Sequence, residues 1–167
     1  MKIIYTCYGG AHSSPLAAAI HLGRISDKAL PSLEAISQVL YFDNVEGQDR
    51  GRVLPVGIDE YGNAIYVLGR GSDRRSIEQA VRSGYVLAGE DPRQLLFVNV
   101  LKAVNWQMRI GGFLSRRLGW IAIGRPLVTN GARRAYPMLL QIVTETKQRL
   151  GADSLGIVSV YSAPNQE

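Results

Sequence analysis

Lys2-Ile3-Ile4-Tyr5-Thr6-Cys7-Tyr8-Gly9-Gly10-Ala11-His12-Ser13-Ser14-Pro15-Leu16-Ala17-Ala18-Ala19-Ile20 is the stretch that decides the fold. Its opening residues form a β-branched and aromatic run that predicts a strand. Two glycines then break the extended pattern, and the segment from Pro15 predicts a helix. Pro15 suits a first helical turn, where the N–H it lacks has no intrahelical partner, and Ser13 or Ser14 is a natural N-cap. Gly23 is placed to end the helix.

Working outward, a short helix is expected over 32–40, with Pro31 at its start and Leu33, Ile36, Val39 and Leu40 on one side. Phe42 to Arg52 is polar and acidic and reads as an exposed loop or lid. Arg52–Ile58 and Ala64–Gly69 flank Asp59-Glu60-Tyr61-Gly62-Asn63 and predict a β-hairpin with a five-residue turn. A helix over 73–87, interrupted near Gly84, precedes Leu95–Val100, whose apolar run predicts a strand covered on both faces. Trp106–Leu118 follows as a helix and Trp120–Ile123 as a strand. A long helix is expected from Tyr136 to Leu150, because Pro137 fits only a first turn, and Leu155–Tyr161 as a last strand. Alternating strands and helices predict one α/β domain over 1–167: three-layer, Rossmann-like, with a mostly parallel sheet and a β-hairpin insertion.

The chain has 167 residues, 46 % hydrophobic and 20 % charged. At that length about 70 % of the unfolded surface can be buried, enough for a core without metal or disulfide staples. Cys7 is the single cysteine. With no secretory leader pattern and no apolar run long enough to span a bilayer, a cytoplasmic protein with no membrane segment is expected.

The formal charge of +5 is unevenly spread. Residues 1–91 carry a net −2, whereas residues 92–144 hold eight basic and no acidic side chains. Fifteen of the 19 basic residues are Arg, which forks onto phosphate or carboxylate. Such a block points to a surface that meets an anion, or to a compositional bias toward Arg.

In parallel α/β sheets ligands sit at the carboxyl ends of strands, and the first strand delivers Cys7 to Ser14 to that edge. Gly9 and Gly10 let backbone N–H groups turn inward, Ser13 and Ser14 add hydroxyls, and the helix start adds partial positive charge. Together these favour an oxyanion such as phosphate. The same field favours a thiolate at Cys7. The plainer alternative is a tight turn around a small buried cysteine.

The order strand, Cys7, Tyr8-Gly9-Gly10-Ala11-His12, Ser13, Ser14, Pro15 and an Ala-rich helix resembles the phosphate loop of low-molecular-weight protein tyrosine phosphatases and related arsenate reductases. The resemblance implies Cys7 as nucleophile, Ser14 as the hydroxyl that steadies its thiolate, and Gly9 to Ser13 as the cradle. Ser13 stands where that family has its phosphate-clamping arginine, so another cation is needed. The family's Asp-Pro general acid has a formal match in Asp91-Pro92. That pair precedes a strand, however, and reads as a turn at the opposite sheet edge. Asp43, Asp49, Asp59 and Glu60 are the alternatives, none singled out by spacing.

Over nearly its whole length the chain is similar to a family of small bacterial proteins known as a domain of unknown function. The marks are the opening Cys7 to Ser14, the Asp59 to Asn63 turn and Gly111-Gly112-Phe113-Leu114-Ser115-Arg116-Arg117-Leu118-Gly119. That resemblance implies no activity. A P-loop match fails, because Ala11-His12-Ser13 lacks the glycine and lysine of Gly-Lys-Ser. His12 offers a charge when protonated, an acid or base beside Cys7, or a plain backbone partner. Cys7, His12 and His21 make no zinc spacing, so neither a metal nor a cofactor is expected.

Arg133 and Arg134 fall near the expected start of the long helix, at the ligand edge, and with Arg125 are candidates to supply the absent cation. Arg116 and Arg117 read as a solvated helix end, and Trp106 and Trp120 as core residues. Three functions follow. The first is a cysteine-dependent enzyme acting on a phosphate ester or other oxyanion. The second is a non-catalytic module for a nucleotide or phosphorylated metabolite. The third and least favoured is nucleic-acid binding through the arginine-rich block, which lacks interleaved aromatics.

Overall fold

Residues 1–45, 47–104, 108, 110 and 121–154 are described by the computed structural model. Strand β1 (Lys2–Cys7) lies inside a four-stranded sheet with β2 (Val53–Ile58), β3 (Ala64–Gly69) and β4 (Leu95–Asn99), in the order β2-β3-β1-β4. β1 pairs parallel with β3 and with β4, and Cys7 stands opposite Gly69. β2 runs antiparallel to β3 through the Asp59–Asn63 turn, with an irregularity between Pro55 and Gly57.

The alternation of β1 sends its side chains to two different cores. Ile3, Tyr5 and Cys7 join Ile65 and Val67 against α1 (Ser13–His21), α2 (Leu33–Ser37) and α4 (Ile121–Ser154). Ile4 joins Leu68 and Leu95 against Ile77, Val81 and Tyr85 of α3 (Arg74–Leu87). Helices therefore cover both faces, which makes the three-layer α/β arrangement. Every residue of α1 is buried, and its Ala17, Ala18 and Ala19 cost little side-chain entropy on packing.

β1 connects to the hairpin through α1 on one face, and β3 connects to β4 through α3 on the other. The chain leaves the carboxyl ends of neighbouring β1 and β3 toward opposite faces. That is the switch point at which open α/β sheets hold ligands.

Several local expectations are corrected. α3 is continuous through Gly84, and Asp73 caps it by accepting from the Ser76 N–H at 3.0 Å. α2 is shorter than expected and buries only Ile36, while Leu33 and Leu40 are exposed. β4 is an edge strand with only Leu95 buried, so its apolar run overstates its burial. The 42–52 segment is exposed only in part: Asn44, Gln48, Arg50 and Arg52 are exposed, whereas Phe42, Asp43 and Val45 are buried.

The largest correction concerns α4. Residues 121–123 are helical rather than extended, and both Pro126 and Pro137 lie inside one 34-residue helix. Each proline removes a helical hydrogen bond. Burial of Val128, Ala132, Ala135, Tyr136, Leu139 and Val143 offsets that cost. The Tyr136 hydroxyl also donates to the Ser26 carbonyl. Of the helix expected over 106–118, Met108 and Ile110 are helical and the rest lies outside the described residues, as does the strand expected at 155–161. No helix among the described residues is long and apolar enough to cross a membrane.

Candidate functional site

Cys7 ends β1 and is only 4 % exposed. The loop folds back over its sulfur, so that the Gly10 N–H donates to Sγ at 3.1 Å and the Ser14 hydroxyl lies 3.1 Å from it. Gly10 adopts φ +75°, a conformation that disfavours any side chain. A Cβ there would also sit 2.8 Å from the Gly69 nitrogen, and one on Gly69 would sit 2.6 Å from the Gly9 oxygen. The two loops that leave β1 and β3 thus touch backbone to backbone. Tyr8 is exposed, with the Arg50 guanidinium 5.2 Å from its ring centre. Ala11 is buried and its carbonyl accepts from the Asp43 N–H at 2.7 Å.

Neither serine caps α1. His12 occupies the N-cap position and makes no side-chain capping bond. Ser14 is turned to the sulfur instead, and the Ser13 hydroxyl is buried without a hydrogen-bond partner. Capping statistics describe serines facing open N–H groups, whereas here the cysteine competes for one of them.

A buried cation that sequence reading passed over is Arg70, the residue directly after β3. Its N–H donates to the Cys7 carbonyl at 3.0 Å and its Nη2 to Asn99 Oδ1 at 3.1 Å. The residue is 7 % exposed, and Nε is buried without a partner. Burial lowers its proton affinity and Arg74 adds to that, while Glu78 and Cys7 oppose it. A guanidinium remains charged regardless. The signal was present in Gly69-Arg70-Gly71, a cation between glycines after a strand, but it carries meaning only once β3 is known to adjoin β1.

Two of the arginines expected to fill that role do not stand at a helix start. Arg133 and Arg134 are exposed in the middle of α4, on the side away from Ala132, Ala135 and Tyr136, because the helix starts far upstream of them. The side chain of Arg125, with Arg116, Arg117, Trp106 and Trp120, lies outside the described residues.

The acidic candidates separate clearly. Asp91 accepts from the Arg93 N–H in the turn before β4, and Arg93 holds its carboxyl below the usual range. Asp49 pairs with Arg52 at 2.6 Å, and Glu60 with Lys147 at 2.9 Å. Asp43 reaches the loop: its Oδ1 lies 3.1 Å from His12 Nε2. Asp59 belongs to a buried network at the amino edge of the sheet. There His21 Nδ1 is 2.7 Å from the Tyr5 hydroxyl and Nε2 is 3.1 Å from Asp59 Oδ2. A neutral ring with its proton on Nε2 satisfies both contacts. A shallow depression of about 510 Å³ lies away from both sites, between α3 and the turn before β4, beside Arg82, Val86, Leu87 and Arg93.

With this geometry in place, the family described as a protein of unknown function, DUF3189, matches residues 2–148, and the chain belongs to that family. No curated protein and no solved structure matches it.

Proposed function

We propose that in this member of the family the Cys7–Ser14 loop, completed by Arg70, holds a phosphoryl group or similar tetrahedral oxyanion, and that Cys7 accepts the phosphoryl group from an ester. One observation carries the reading. Two buried donors, Arg70 Nε and Ser13 Oγ, have no partner, and they belong to the two loops that meet at Cys7. A buried donor left unpaired costs on the order of 1–3 kcal/mol, a cost that an oxyanion accepting from these groups would remove.

Arg70 also answers the absence of an arginine at position 13. A guanidinium from the neighbouring strand supplies the charge that stabilises a transferring phosphoryl group. The Ser14 hydroxyl and Gly10 N–H steady a sulfur anion. Sulfur attacks phosphorus, the ester oxygen leaves with the electron pair of its bond, and water then cleaves the P–S bond. Arsenate reduction takes two electrons from thiols, and with Cys7 the only cysteine in the chain the second thiol would come from outside it. A reducing cytoplasm, where a free thiol persists, suits this chemistry.

The near-complete burial of Cys7 supports a second reading, in which the loop retains a phosphorylated metabolite or nucleotide without attacking it. Hydrolysis of 4-nitrophenyl phosphate by wild type and Cys7→Ser separates the two. Turnover that vanishes in Cys7→Ser, with phosphate still raising the melting temperature, supports the enzyme. Stabilisation of both proteins without turnover supports the binding module, and neither effect refutes the site.

A further inference from the structure

The structure assigns to the His12–Asp43 pair the proton transfers of the Cys7 reaction, with His12 as the catalytic acid and base and Asp43 as its positioning residue. The assignment rests on the reading of Cys7 as a phosphoryl acceptor. His12 lies between Gly10 and Ser14, the two residues that hold the sulfur. Its Nε2 is 3.1 Å from Asp43 Oδ1, and its ring stacks edge-on against Phe42 at 5.6 Å. The His12 side chain keeps 16 % of its surface exposed, whereas that of Asp43 keeps 2 %. This leaves a ring held by a buried carboxylate and itself still partly exposed.

The segment that brings Asp43 there is built for the purpose. Tyr41 and Asp43 both adopt left-handed backbone, at φ 68° and 50°, which costs a non-glycine residue free energy and persists only where the surroundings impose it. The Asp43 N–H on the Ala11 carbonyl, the Phe42 ring on His12 and the Tyr41 hydroxyl on the Pro55 carbonyl impose it. Two of these three contacts fall on Ala11 and His12, which lie between the Gly10 and Ser14 that hold the sulfur.

In the first step the Cys7 thiolate forms the bond to phosphorus while the ester P–O bond breaks toward oxygen. Protonated His12 gives that oxygen its proton, and the alcohol departs. In the second step neutral His12 takes a proton from water as the water oxygen attacks phosphorus. The P–S pair returns to sulfur and phosphate leaves. Asp43 orients the ring and balances its charge in the protonated form.

The test compares kcat/KM for phenyl phosphate and 4-nitrophenyl phosphate in wild type, His12→Gln and Asp43→Asn. Phenolate is a strong base that needs a proton on leaving, and nitrophenolate hardly does. His12→Gln is expected to lose about 10²-fold or more on phenyl phosphate and under about 10-fold on the nitrophenyl ester, and Asp43→Asn to show the same selectivity at smaller size. Phosphate-induced stabilisation measured on each variant reports that the loop remains folded. Equal losses on both esters, or none, overturn the assignment while leaving the Cys7 reading intact. Absence of turnover by wild type overturns both.

Discussion

Arg70 Nη2 donates to Asn99 Oδ1 at 3.1 Å and so ties the end of β3 to the end of β4 across the strand that ends in Cys7. Strands two apart in a sheet are separated by roughly 10 Å, a gap that the long guanidinium arm spans. The same Asn99 oxygen accepts the Leu101 N–H at 3.1 Å, which fixes the amide that receives Arg70. A buried cation is in this way held over the carboxyl end of β1 with its Nε unpaired.

Removing the charge while keeping the stem isolates what Arg70 contributes. Arg70→Met is expected to lower kcat/KM for an aryl phosphate by about 10²–10³-fold, the usual cost of one preorganised donor to a developing charge. Arg70→Lys keeps the charge without the fork and is expected to fall between the two. Steady-state kinetics on the three proteins checks the order.

Asn99→Ala leaves Arg70 charged but unanchored. Phosphate affinity is expected to weaken by about tenfold, equivalent to roughly 1.4 kcal/mol, in line with one charge-assisted hydrogen bond. Isothermal titration with phosphate measures it, and an unchanged affinity shows that the anchor is dispensable.

Gly10→Ala tests the backbone contact between the two loops. The left-handed φ alone costs about 1–3 kcal/mol, and the added Cβ would meet the Gly69 nitrogen at 2.8 Å. Lower stability together with lost phosphate binding is expected in denaturant titrations with and without phosphate. Gly9→Ala, where a Cβ meets nothing within 4 Å, serves as the control for the stability arm.

The Tyr5–His21–Asp59 network predicts a dependence of stability on pH. Burial holds His21 below its ordinary value of 6.5, and Lys147 adds to this against the pull of Asp59. The unfolded chain therefore takes up a proton that the native ring refuses, so this contribution is complete above about pH 6.5 and declines as pH falls below it. For Asp59, burial acts upward, but hydrogen bonds from Asn63, His21 and Tyr61 outweigh it and leave the carboxyl below 3.8. Its contribution is present above 3.8 and is lost in stronger acid. Urea midpoints of wild type are expected to fall between about pH 7.5 and about pH 5.5, and those of His21→Gln to be lower and nearly flat. Tyr5→Phe removes the hydroxyl on His21 Nδ1 and is expected to cost about 1–3 kcal/mol.

What the sequence made legible was local. The strand, loop and helix over 2–20 and the hairpin around Asp59–Asn63 each rest on residues within a few positions of one another, and both stand in the fold. Within the loop, the Ser14 hydroxyl and the Gly10 N–H both meet the Cys7 sulfur. Arg70 was not legible, because the place proposed for it depends on β3 adjoining β1, a relation between residues 62 positions apart. The long charge block drew attention to Arg133 and Arg134 instead, and a proline taken as a helix start concealed that both lie mid-helix. Asp43 was one of four acidic candidates, and for a similar reason spacing did not single it out. A polar, acidic stretch reads as solvated, yet its backbone N–H reaches the Ala11 carbonyl and its carboxylate the His12 ring.

The most direct test of the central claim, that Arg70 completes an oxyanion site over Cys7, is thermal unfolding of wild type and Arg70→Met across a phosphate titration at constant ionic strength. At phosphate about 100 times its Kd, wild type is predicted to gain roughly 2.7 kcal/mol, a rise of about 5–10 °C for a domain of this size, and Arg70→Met to gain almost none. An equal rise in both proteins, or no rise in wild type, contradicts the account.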